Sequence, residues 1–376
     1  RSIMKIGVLT SSRADYGIYL PLLNELKTDS FFELEIIAFG THLSKNHGYT
    51  LENIIKDEYD TVHEITSLIE DDSEKGIAIS YGNTVLEFSN FWAVQKFDLV
   101  FCLGDRFEMS AAVQASIPFG VKLAHLHGGE TTLGAIDNIY RHQITLASKY
   151  HFVSTNDNMQ KVKQLIGSSN FIYDVGSLSL CNIETFKPQD RSVFFKNYGI
   201  KEAPYVLVTF HPETISVNNN LAFAKVMKNA LSILTNEINL IITMPNADTL
   251  GSVFRAELND LKDNYPDSIL LIENFGKANY FNAMYYSSLL IGNTSSGIIE
   301  AASFNKKVIN VGDRQKGRFH GSNVFNSDFD SKKIVKLTLE IIKSKPIKEE
   351  NIYYKKNTNK KIIKILKKND KIEITQ

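Results

Sequence analysis

One run of the sequence, residues 289–318, contains a strand, a polar turn, a helix and a second strand in direct succession. Residues 289–291 are apolar and typical of a short buried strand, and residues 292–297 form a turn rich in small hydroxyl side chains. The second strand is followed by a basic loop that ends at Arg318. Strands that alternate with helices in this way form parallel sheets, so the run favours the α/β class of folds.

The polar turn has the features of a phosphate-binding site. We predict that its helix starts near Ser296 or Gly297, so that the first backbone N–H groups, which have no partner within a helix, point out of the turn. The positive end of the helix dipole favours an anion at the same place. Thr294, Ser295 and Ser296 add hydroxyl donors.

Charged residues beyond this turn extend the predicted site. Glu300 lies about one helical turn after Ser296, where its carboxylate could accept hydrogen bonds from ribose hydroxyls beside the phosphates. Arg314 and Arg318 follow the next strand and add positive charge. The alternative is an ordinary capped helix, in which Gly297 is the N-cap residue and Glu300 is its N3 partner.

The same alternation of strands and helices continues through both halves of the sequence. Strands are predicted at residues 5–10, 34–39, 98–103, 121–126, 151–154, 172–175, 205–210, 240–244, 269–272 and 289–291. A parallel sheet of this kind is covered by helices on both faces, and ligands bind beyond the carboxyl ends of its strands. We therefore predict an α/β protein with two similar domains facing a cleft.

The domain boundaries follow from a change in composition. Residues 177–203 are polar and irregular, which marks a linker between the domains. We predict a first domain at residues 1–180, which carries the acid and base groups, and a second at residues 181–345, which binds the nucleotide. Residues 346–376 are predicted to form a basic helix or tail that packs back on the first domain. Apolar residues at helical spacing favour a solvated helix face there over a site for an acidic partner.

The overall composition excludes several classes of function. The 42 Lys and Arg residues balance the 42 Asp and Glu residues, so no global field recruits nucleic acid or a membrane. No apolar run is long enough to span a bilayer, and no secretory leader is evident. Cys102 and Cys181 suggest neither a disulfide framework nor a metal-ligand cluster. We predict a cytoplasmic protein without a nucleic-acid partner or membrane insertion.

Ionisable residues crowd into three loops that follow strands of the first domain. These residues are Asp105, Arg106, Glu108, His125, His127, Glu130, Asp137, Arg141 and His142. Each has a structural alternative: His125 could be a hydrogen-bonded core histidine, and Arg141 could pair with Asp137 on one helix face. Carboxylates that lie close together raise one another's pKa and can divide into acid and base. This excess of acids and bases favours proton transfer at a carbon–hydrogen bond of a sugar over simple sugar transfer.

The second domain supplies groups that suit a nucleoside diphosphate. His211 follows a strand and Asn246 lies in a tight turn. They join the hydroxyl-rich turn, Glu300 and Arg314 in one predicted set. Arg13, in the first strand-end loop, could reach the same diphosphate across the cleft.

The strand-end motifs, taken together, resemble those of one family. They are SRADYG at 12–17, GDRFE at 104–108, HLHGGE at 125–130, IDNIYRH at 136–142, FHPET at 210–214, PNAD at 245–248, GNTSSGIIE at 292–300 and GDRQKGR at 312–318. In this order they resemble the hydrolysing UDP-N-acetylglucosamine 2-epimerases of bacterial sialic acid biosynthesis, over nearly all of residues 5–318. The resemblance implies a glycosyltransferase-B-like fold of two Rossmann-like domains. It also implies conversion of UDP-N-acetylglucosamine and water into N-acetylmannosamine and UDP.

In such enzymes a base removes the proton from C2 of the sugar while UDP leaves from C1. Water then adds to the resulting 2-acetamidoglucal with inverted configuration at C2. Some relatives carry glutamate and others histidine at the position of His127, which leaves His127 and Glu130 as alternative C2 bases.

The resemblance and the residue patterns together define two predicted sets of site residues. The predicted catalytic set is Asp105, His127, Glu130, Asp137, Arg141 and His42, the last of which lies in the polar loop at residues 40–50. The predicted UDP-binding set is Arg13, Arg106, His211, Asn246, Phe275, Thr294, Ser295, Ser296, Gly297, Glu300 and Arg314.

The sequence also supports predictions about cofactors and partners. No Asp-rich magnesium motif is apparent, and Arg13, Arg314 and the helix start near Ser296 can stabilise the departing UDP. We therefore predict turnover without a cofactor or an essential metal, which a divalent ion at most modulates. By analogy with relatives we expect a homo-oligomer, either a dimer or a tetramer.

The sequence leaves four other functions open. The first is a hydrolysing 2-epimerase of UDP-2,4-diacetamido-2,4,6-trideoxyglucose, as in legionaminic acid synthesis. The others are a non-hydrolysing 2-epimerase, a glycosyltransferase and a non-catalytic nucleotide-sugar sensor.

Overall fold

The computed structural model describes residues 3–245 and 251–374, which divide into two compact units. The first unit is formed by the described residues up to Glu130, by Asp137–Asn182 and by the described residues from Tyr353 onward. The second unit is formed by Thr131–Ile136 and Ile183–Ile352. The division differs from the predicted boundaries in three places, because residues 131–136 and 346–352 belong to the second unit and residues 181–182 belong to the first.

The described part of the first unit contains one parallel sheet in the order β3-β2-β1-β4-β5-β6-β7. Its strands are β1 (Met4–Thr10), β2 (Phe32–Phe39), β3 (Thr61–Ile65), β4 (Leu99–Leu103), β5 (Leu123–Leu126), β6 (Tyr150–Val153) and β7 (Ile172–Asp174). The chain therefore moves outward from β1 in both directions, which is the doubly wound arrangement.

The described part of the second unit contains a parallel sheet in the order β10-β9-β8-β11-β12-β13. Its strands are β8 (Tyr205–Thr209), β9 (Asn239–Thr243), β10 (Ile269–Ile272), β11 (Leu289–Gly292), β12 (Val308–Val311) and β13 (Val324–Ser327). Both sheets have the strand-helix alternation that the sequence predicts.

Helices connect the strands in both units. They are α1 (Arg13–Thr28), α2 (Leu51–Lys56), α3 (Glu74–Val94), α4 (Phe107–Ser116), α5 (Asp137–Ala147), α6 (Asn156–Ile166), α7 (Arg191–Tyr198), α8 (Asn220–Leu234), α9 (Gly251–Asn264), α10 (Gly276–Tyr286), α11 (Ser295–Ile299), α12 (Ser331–Ile342) and α13 (Thr358–Ile374). Several start at a capping side chain: Ser12 accepts from the N–H of Asp15, and Ser73 accepts from the N–H of Gly76.

The first unit has an apolar core on each face of its sheet. Alternate residues of β1 point to opposite faces, so Ile6 and Val8 pack in one core and Leu9 packs in the other with Trp92. Helix α13 completes the first of these cores with Ile362 and Leu366. A further core in the second unit lies around β8, β9, β11 and β12.

Candidate active-site loops

Helix α5 carries the residue that joins the strand-end loops of the first unit. The Arg141 side chain is 1% exposed, and its Nη2 atom pairs with a carboxylate oxygen of Asp105 in the loop after β4. Its Nη1 atom donates to the carbonyl oxygen of Glu130, in the loop after β5, at 3.1 Å, and to Oδ1 of Asn138 at 3.1 Å. Asp105 stays 30% exposed. The buried guanidinium therefore positions acids, in contrast to the direct catalytic role predicted for Arg141.

The loop after β5 places the two candidate bases in different settings. His127 is 8% exposed and has a backbone φ of +66°, a conformation that side-chain-bearing residues seldom adopt. Its Nε2 atom accepts a hydrogen bond from the N–H of Leu178 at 3.2 Å. That hydrogen bond engages the lone pair through which Nε2 would take up a proton. Glu130, which is also buried, is therefore the better candidate for the C2 base.

His42 does not fit its predicted catalytic role. Its side chain is 0% exposed, and its Nε2 and Nδ1 atoms lie 2.8 Å from the hydroxyls of Thr10 and Thr50, respectively. Burial lowers the pKa of His42 to about 4, although nearby Asp15 acts in the opposite direction. A buried neutral ring with both nitrogens hydrogen-bonded holds the loop after β2 against β1, and it has no free nitrogen for substrate.

The arginines predicted to bind the nucleotide from the first unit lie at two helix starts. Arg13 is exposed at the first residue of α1. Arg106 is the N-cap residue of α4, and its Nη2 atom lies 3.0 Å from Oε1 of Glu108, whose carboxylate is buried. The guanidinium of Arg106 thus balances a buried charge of its own unit.

Asp137 begins α5, four residues before Arg141. Burial, followed by the nearby carboxylate of Asp137, raises the pKa of Tyr140. The loops after β4 and β5 and the start of α5 therefore bring acids to the carboxyl edge of the sheet, as the sequence predicts.

In the second unit, α11 starts earlier than predicted. It begins at Ser295 with Thr294 as the N-cap residue, and Glu300 is its C-cap residue. The alternative in which Gly297 and Glu300 form an N-terminal capping pair is therefore wrong. The Ser296 hydroxyl lies 2.9 Å from the hydroxyl of Tyr280 and 3.3 Å from that of Thr294. Tyr280, which we did not predict, thus orients one of the predicted phosphate donors.

An asparagine side chain fixes the loop after β8 to the loop after β11. The N–H of His211 donates to Oδ1 of Asn293 at 2.7 Å, and Nδ2 of Asn293 donates to the carbonyl oxygen of His211 at 2.8 Å. The side chain of Gln315 donates to the carbonyl oxygen of Asn293 at 3.0 Å and accepts from Arg318 at 3.0 Å. Asn293 and Gln315 lie inside motifs that the sequence analysis quotes, but their packing roles depend on partners distant in sequence.

Glu213 joins the HPET loop to the loop that carries Arg314. Its Oε1 atom accepts from the N–H of Asp313 at 2.8 Å, and the side chain is buried. Burial raises the pKa of Glu213, and the hydrogen bond from the N–H of Asp313 opposes this effect in part. His211, the hydroxyl-rich turn and Arg314 are therefore carried by one hydrogen-bonded group of loops.

A six-residue strap, Thr131–Ile136, packs on this group of loops. The N–H of Leu133 donates to the carbonyl oxygen of Lys316 at 2.8 Å, and the N–H of Ile136 donates to the Thr214 hydroxyl at 3.1 Å. A methyl group added at Gly134 would lie 1.9 Å from the carbonyl oxygen of Asp313. Only glycine allows so close an approach of two backbones.

Replacing Gly134 by alanine is expected to lower the free energy of unfolding by about 1–3 kcal/mol, because the strap must move away from Asp313. Calorimetry of the whole chain measures the effect on melting. Gly82→Ala is the matched control, since a methyl group at this exposed position in α3 meets nothing within 4 Å. The control should raise stability by roughly 0.5–1 kcal/mol. Equal melting of Gly134→Ala and the wild type would contradict the observed packing.

Asn246 and Phe275 are the remaining residues of the predicted UDP-binding set. Asn246 lies outside the described residues. Phe275 is buried, with its ring centroid 4.8 Å from that of Tyr198 and 6.0 Å from that of Phe194. Its ring is thus part of an aromatic cluster, which leaves the face of the ring less available to the nucleotide's base than we predicted.

The described residues contain no group of three or more His, Cys, Asp or Glu side chains that could hold a metal ion. Independence of metal stays a prediction, which assays with and without EDTA test. No helix within residues 3–245 and 251–374 is long and apolar enough to cross a membrane.

Known proteins resemble this chain over nearly its whole length. Residues 24–367 match the model of a family described as UDP-N-acetylglucosamine 2-epimerase. UDP-N,N'-diacetylbacillosamine 2-epimerase (hydrolyzing) of Legionella pneumophila is 33% identical over 97% of this chain and 96% of its own length. Polysialic acid biosynthesis protein P7 of Escherichia coli is 30% identical over 96% of this chain and 93% of its own length.

A solved structure confirms the predicted fold. UDP-GlcNAc 2-epimerase from Neisseria meningitidis, crystallised with UDP-GlcNAc, gives a TM-score of 0.80 at 16% identity and covers 97% of this chain and 100% of its own. The two Rossmann-like units are those of a glycosyltransferase-B-like fold.

Proposed function

Because the chain belongs to the UDP-N-acetylglucosamine 2-epimerase family, we propose that it is a hydrolysing 2-epimerase that converts UDP-N-acetylglucosamine and water into N-acetylmannosamine and UDP. The observation that carries this proposal is the buried Arg141, which holds Asp105 and the backbone of Glu130 together at the end of the first sheet. Simple transfer of a sugar needs no such group of acids, whereas removal and return of a C2 proton does.

The proposed reaction has two steps, an elimination and then an addition. Glu130 takes the C2 proton while the C1–O bond breaks, so that UDP leaves and 2-acetamidoglucal forms. Water then adds its oxygen to C1, and a proton returns to C2 from the opposite face. Asp105 and Asp137 serve this second half as acid and base. The sum is one UDP and one free 2-epimeric sugar for each water consumed.

Departure of UDP requires stabilisation of the developing negative charge. In the second unit the hydroxyls of Ser295 and Ser296 and the first N–H groups of α11 can donate to phosphate oxygens. Arg314 lies in the loop fixed by Glu213, and it adds a positive charge. Each of these groups acts without a metal ion.

UDP-N,N'-diacetylbacillosamine, which carries the 2,4-diacetamido-2,4,6-trideoxy sugar, is the second candidate substrate. The name of the Legionella relative favours it, and the name of the Escherichia coli relative favours a sialic acid precursor. The two sugars differ at C4 and C6 and share the C1 and C2 groups on which the chemistry takes place. One catalytic arrangement therefore suits both.

Proton NMR of the reaction in heavy water tests the proposal. Purified protein is incubated with each nucleotide sugar in turn. We expect free N-acetylmannosamine with deuterium at C2, and one equivalent of UDP. Release of only the 6-deoxy diacetamido sugar would instead favour the second candidate substrate. An intact UDP-linked product would indicate the non-hydrolysing reaction, and a sugar without deuterium at C2 would contradict proton transfer.

Replacing Glu300 by glutamine is expected to weaken UDP binding about tenfold, because hydrogen bonds to a charged acceptor are the stronger kind. Isothermal titration with UDP measures the change. Glu340→Gln is the control, since that carboxylate is exposed and pairs only weakly with Lys336, at 4.0 Å. Unchanged affinity of Glu300→Gln would remove Glu300 from the nucleotide site.

A further inference from the structure

His125 is a fully buried histidine between two of the loops that carry acids. It lies on β5, two residues before His127, and its side chain is 0% exposed. Its Nε2 atom lies 2.9 Å from the carbonyl oxygen of Gly104, and its Nδ1 atom lies 2.9 Å from the hydroxyl of Thr145 on α5. The sequence analysis counts His125 among the ionisable residues at this end of the sheet but includes it in neither predicted set of site residues.

The two hydrogen bonds fix the tautomer of the ring. A carbonyl oxygen can only accept, so Nε2 must carry a proton and donate to Gly104. In a neutral imidazole the other nitrogen then accepts, and the Thr145 hydroxyl must donate to Nδ1.

The surroundings of His125 keep the ring neutral. Burial is the main cause that lowers the pKa of His125 to about 3. Nearby His151, Arg141 and His127 act in the same direction, and the hydrogen bond to Gly104 opposes them. A ring that stays neutral and buried cannot exchange protons with a substrate, so its role must be exerted through its partners.

Those partners are the loops that carry Asp105 and Glu130. Gly104 directly precedes Asp105 and has a φ of +74°, a conformation that favours glycine, and its carbonyl oxygen accepts from Nε2 of His125. On the other side, a methyl group at Gly128 would lie 3.0 Å from Nδ1 of His125 and 3.0 Å from the Thr145 hydroxyl. The backbone of the loop that leads to Glu130 thus passes directly over the His125–Thr145 hydrogen bond.

We propose that His125, held in its Nε2–H tautomer by Thr145, is a positioning residue that sets the Asp105 carboxylate through the Gly104 carbonyl group. The proposal rests on the proposed function for the role of Asp105. It also accounts for a buried polar side chain at position 125, since an apolar residue there would leave the Gly104 carbonyl oxygen without this partner.

A double-mutant cycle with Asp105 tests the proposal. Thr145→Val keeps the shape of the side chain and removes the donor to Nδ1. We expect kcat to fall about tenfold with KM within about twofold, because misplaced catalytic groups affect the chemical step. Thr145→Ser should recover most of kcat. Thr338→Val, which removes a buried hydroxyl on α12, is the matched control and should leave kcat unchanged.

The same substitution in an Asp105→Asn background tests whether the fall in kcat depends on Asp105. In an Asp105→Asn background, Thr145→Val should lower the residual kcat by less than about twofold, because residues that act through one another are not additive. A full tenfold loss in that background would overturn the proposal. So would a normal kcat for Thr145→Val in the wild-type background.

Nitrogen-15 NMR of the histidine rings gives a readout that does not need turnover. We expect the Nε2–H tautomer for His125 in the wild type, unchanged down to about pH 5, and a mixture of tautomers in Thr145→Val. A ring protonated near neutral pH or in the Nδ1–H form would overturn the proposal even if the enzyme is active. If no nucleotide sugar is turned over, the proposed function fails, and the tautomer still decides whether the His125–Thr145 pair is as described.

Discussion

Replacing Asp105 by asparagine is expected to lower kcat by about 10²–10⁴-fold, the usual contribution of a group that transfers a proton in the rate-limiting step. The substitution keeps the size of the side chain and removes its charge. Arg141 remains able to hydrogen-bond to the amide oxygen, so the loop should stay in place. Affinity for UDP should change little, since the neighbouring Arg106 is held by Glu108 and the other proposed nucleotide contacts lie in other motifs.

Asp98→Asn is the matched control for this prediction. Asp98 and Asp105 flank the two ends of β4, and Asp98 accepts from the N–H of Lys5 at 2.7 Å at the edge of the sheet away from the acids. Rates of UDP release and titrations with UDP are measured for both variants. If Asp105→Asn retained wild-type turnover, Asp105 would not serve the sugar.

Replacing Arg141 by alanine is expected to lower the free energy of unfolding by about 3–5 kcal/mol, because it leaves a buried carbonyl group and a partly buried carboxylate without their partner. The guanidinium is 1% exposed, so its partners lose a buried hydrogen-bond donor. The same substitution should abolish most turnover, since the backbone of Glu130 and the Asp105 side chain would lose their common support.

Urea unfolding of the whole chain measures the first effect, and UDP release measures the second. Arg191→Ala provides the comparison, because Arg191 pairs with Glu202 at 3.5 Å with both side chains about half exposed or more. Such surface pairs contribute about 0–1 kcal/mol. Equal stabilities of the two variants would show that Arg141 is not the joining residue described above.

The fold was predictable because its main signals are local. Apolar strands, turns and amphipathic helices alternate along the chain, and parallel strands bring their carboxyl ends to one edge. The loops after β4, β5, β8 and β11 were therefore correctly placed at strand ends. Strands β3 and β13 were missed, since edge strands such as Thr61–Ile65 carry exposed polar residues and lack a strong apolar run.

The partners of individual side chains were less predictable, because they depend on packing between distant segments. The pair of Arg141 with Asp137 was a local possibility within one helix turn, whereas its pair with Asp105 spans 36 residues. His42 looked available in a polar loop, but the threonines that surround it come from β1 and from the start of α2. The left-handed backbone of His127 and the neighbour of its Nε2 atom have no signature in the sequence.

Helix α13 returns to the first sheet from the far end of the sequence, where Ile362 and Leu366 pack with Tyr19 and Leu22 of α1. Its residues are also held by a hydrogen bond of 2.7 Å from the Thr358 hydroxyl to the carbonyl oxygen of Val175. During synthesis on a ribosome, therefore, every strand of the second unit emerges before the first unit can close its core. The second unit can therefore finish folding before the first. A translation arrest before α13 would leave the apolar surface that α13 covers exposed on the first unit, where chaperones could bind it.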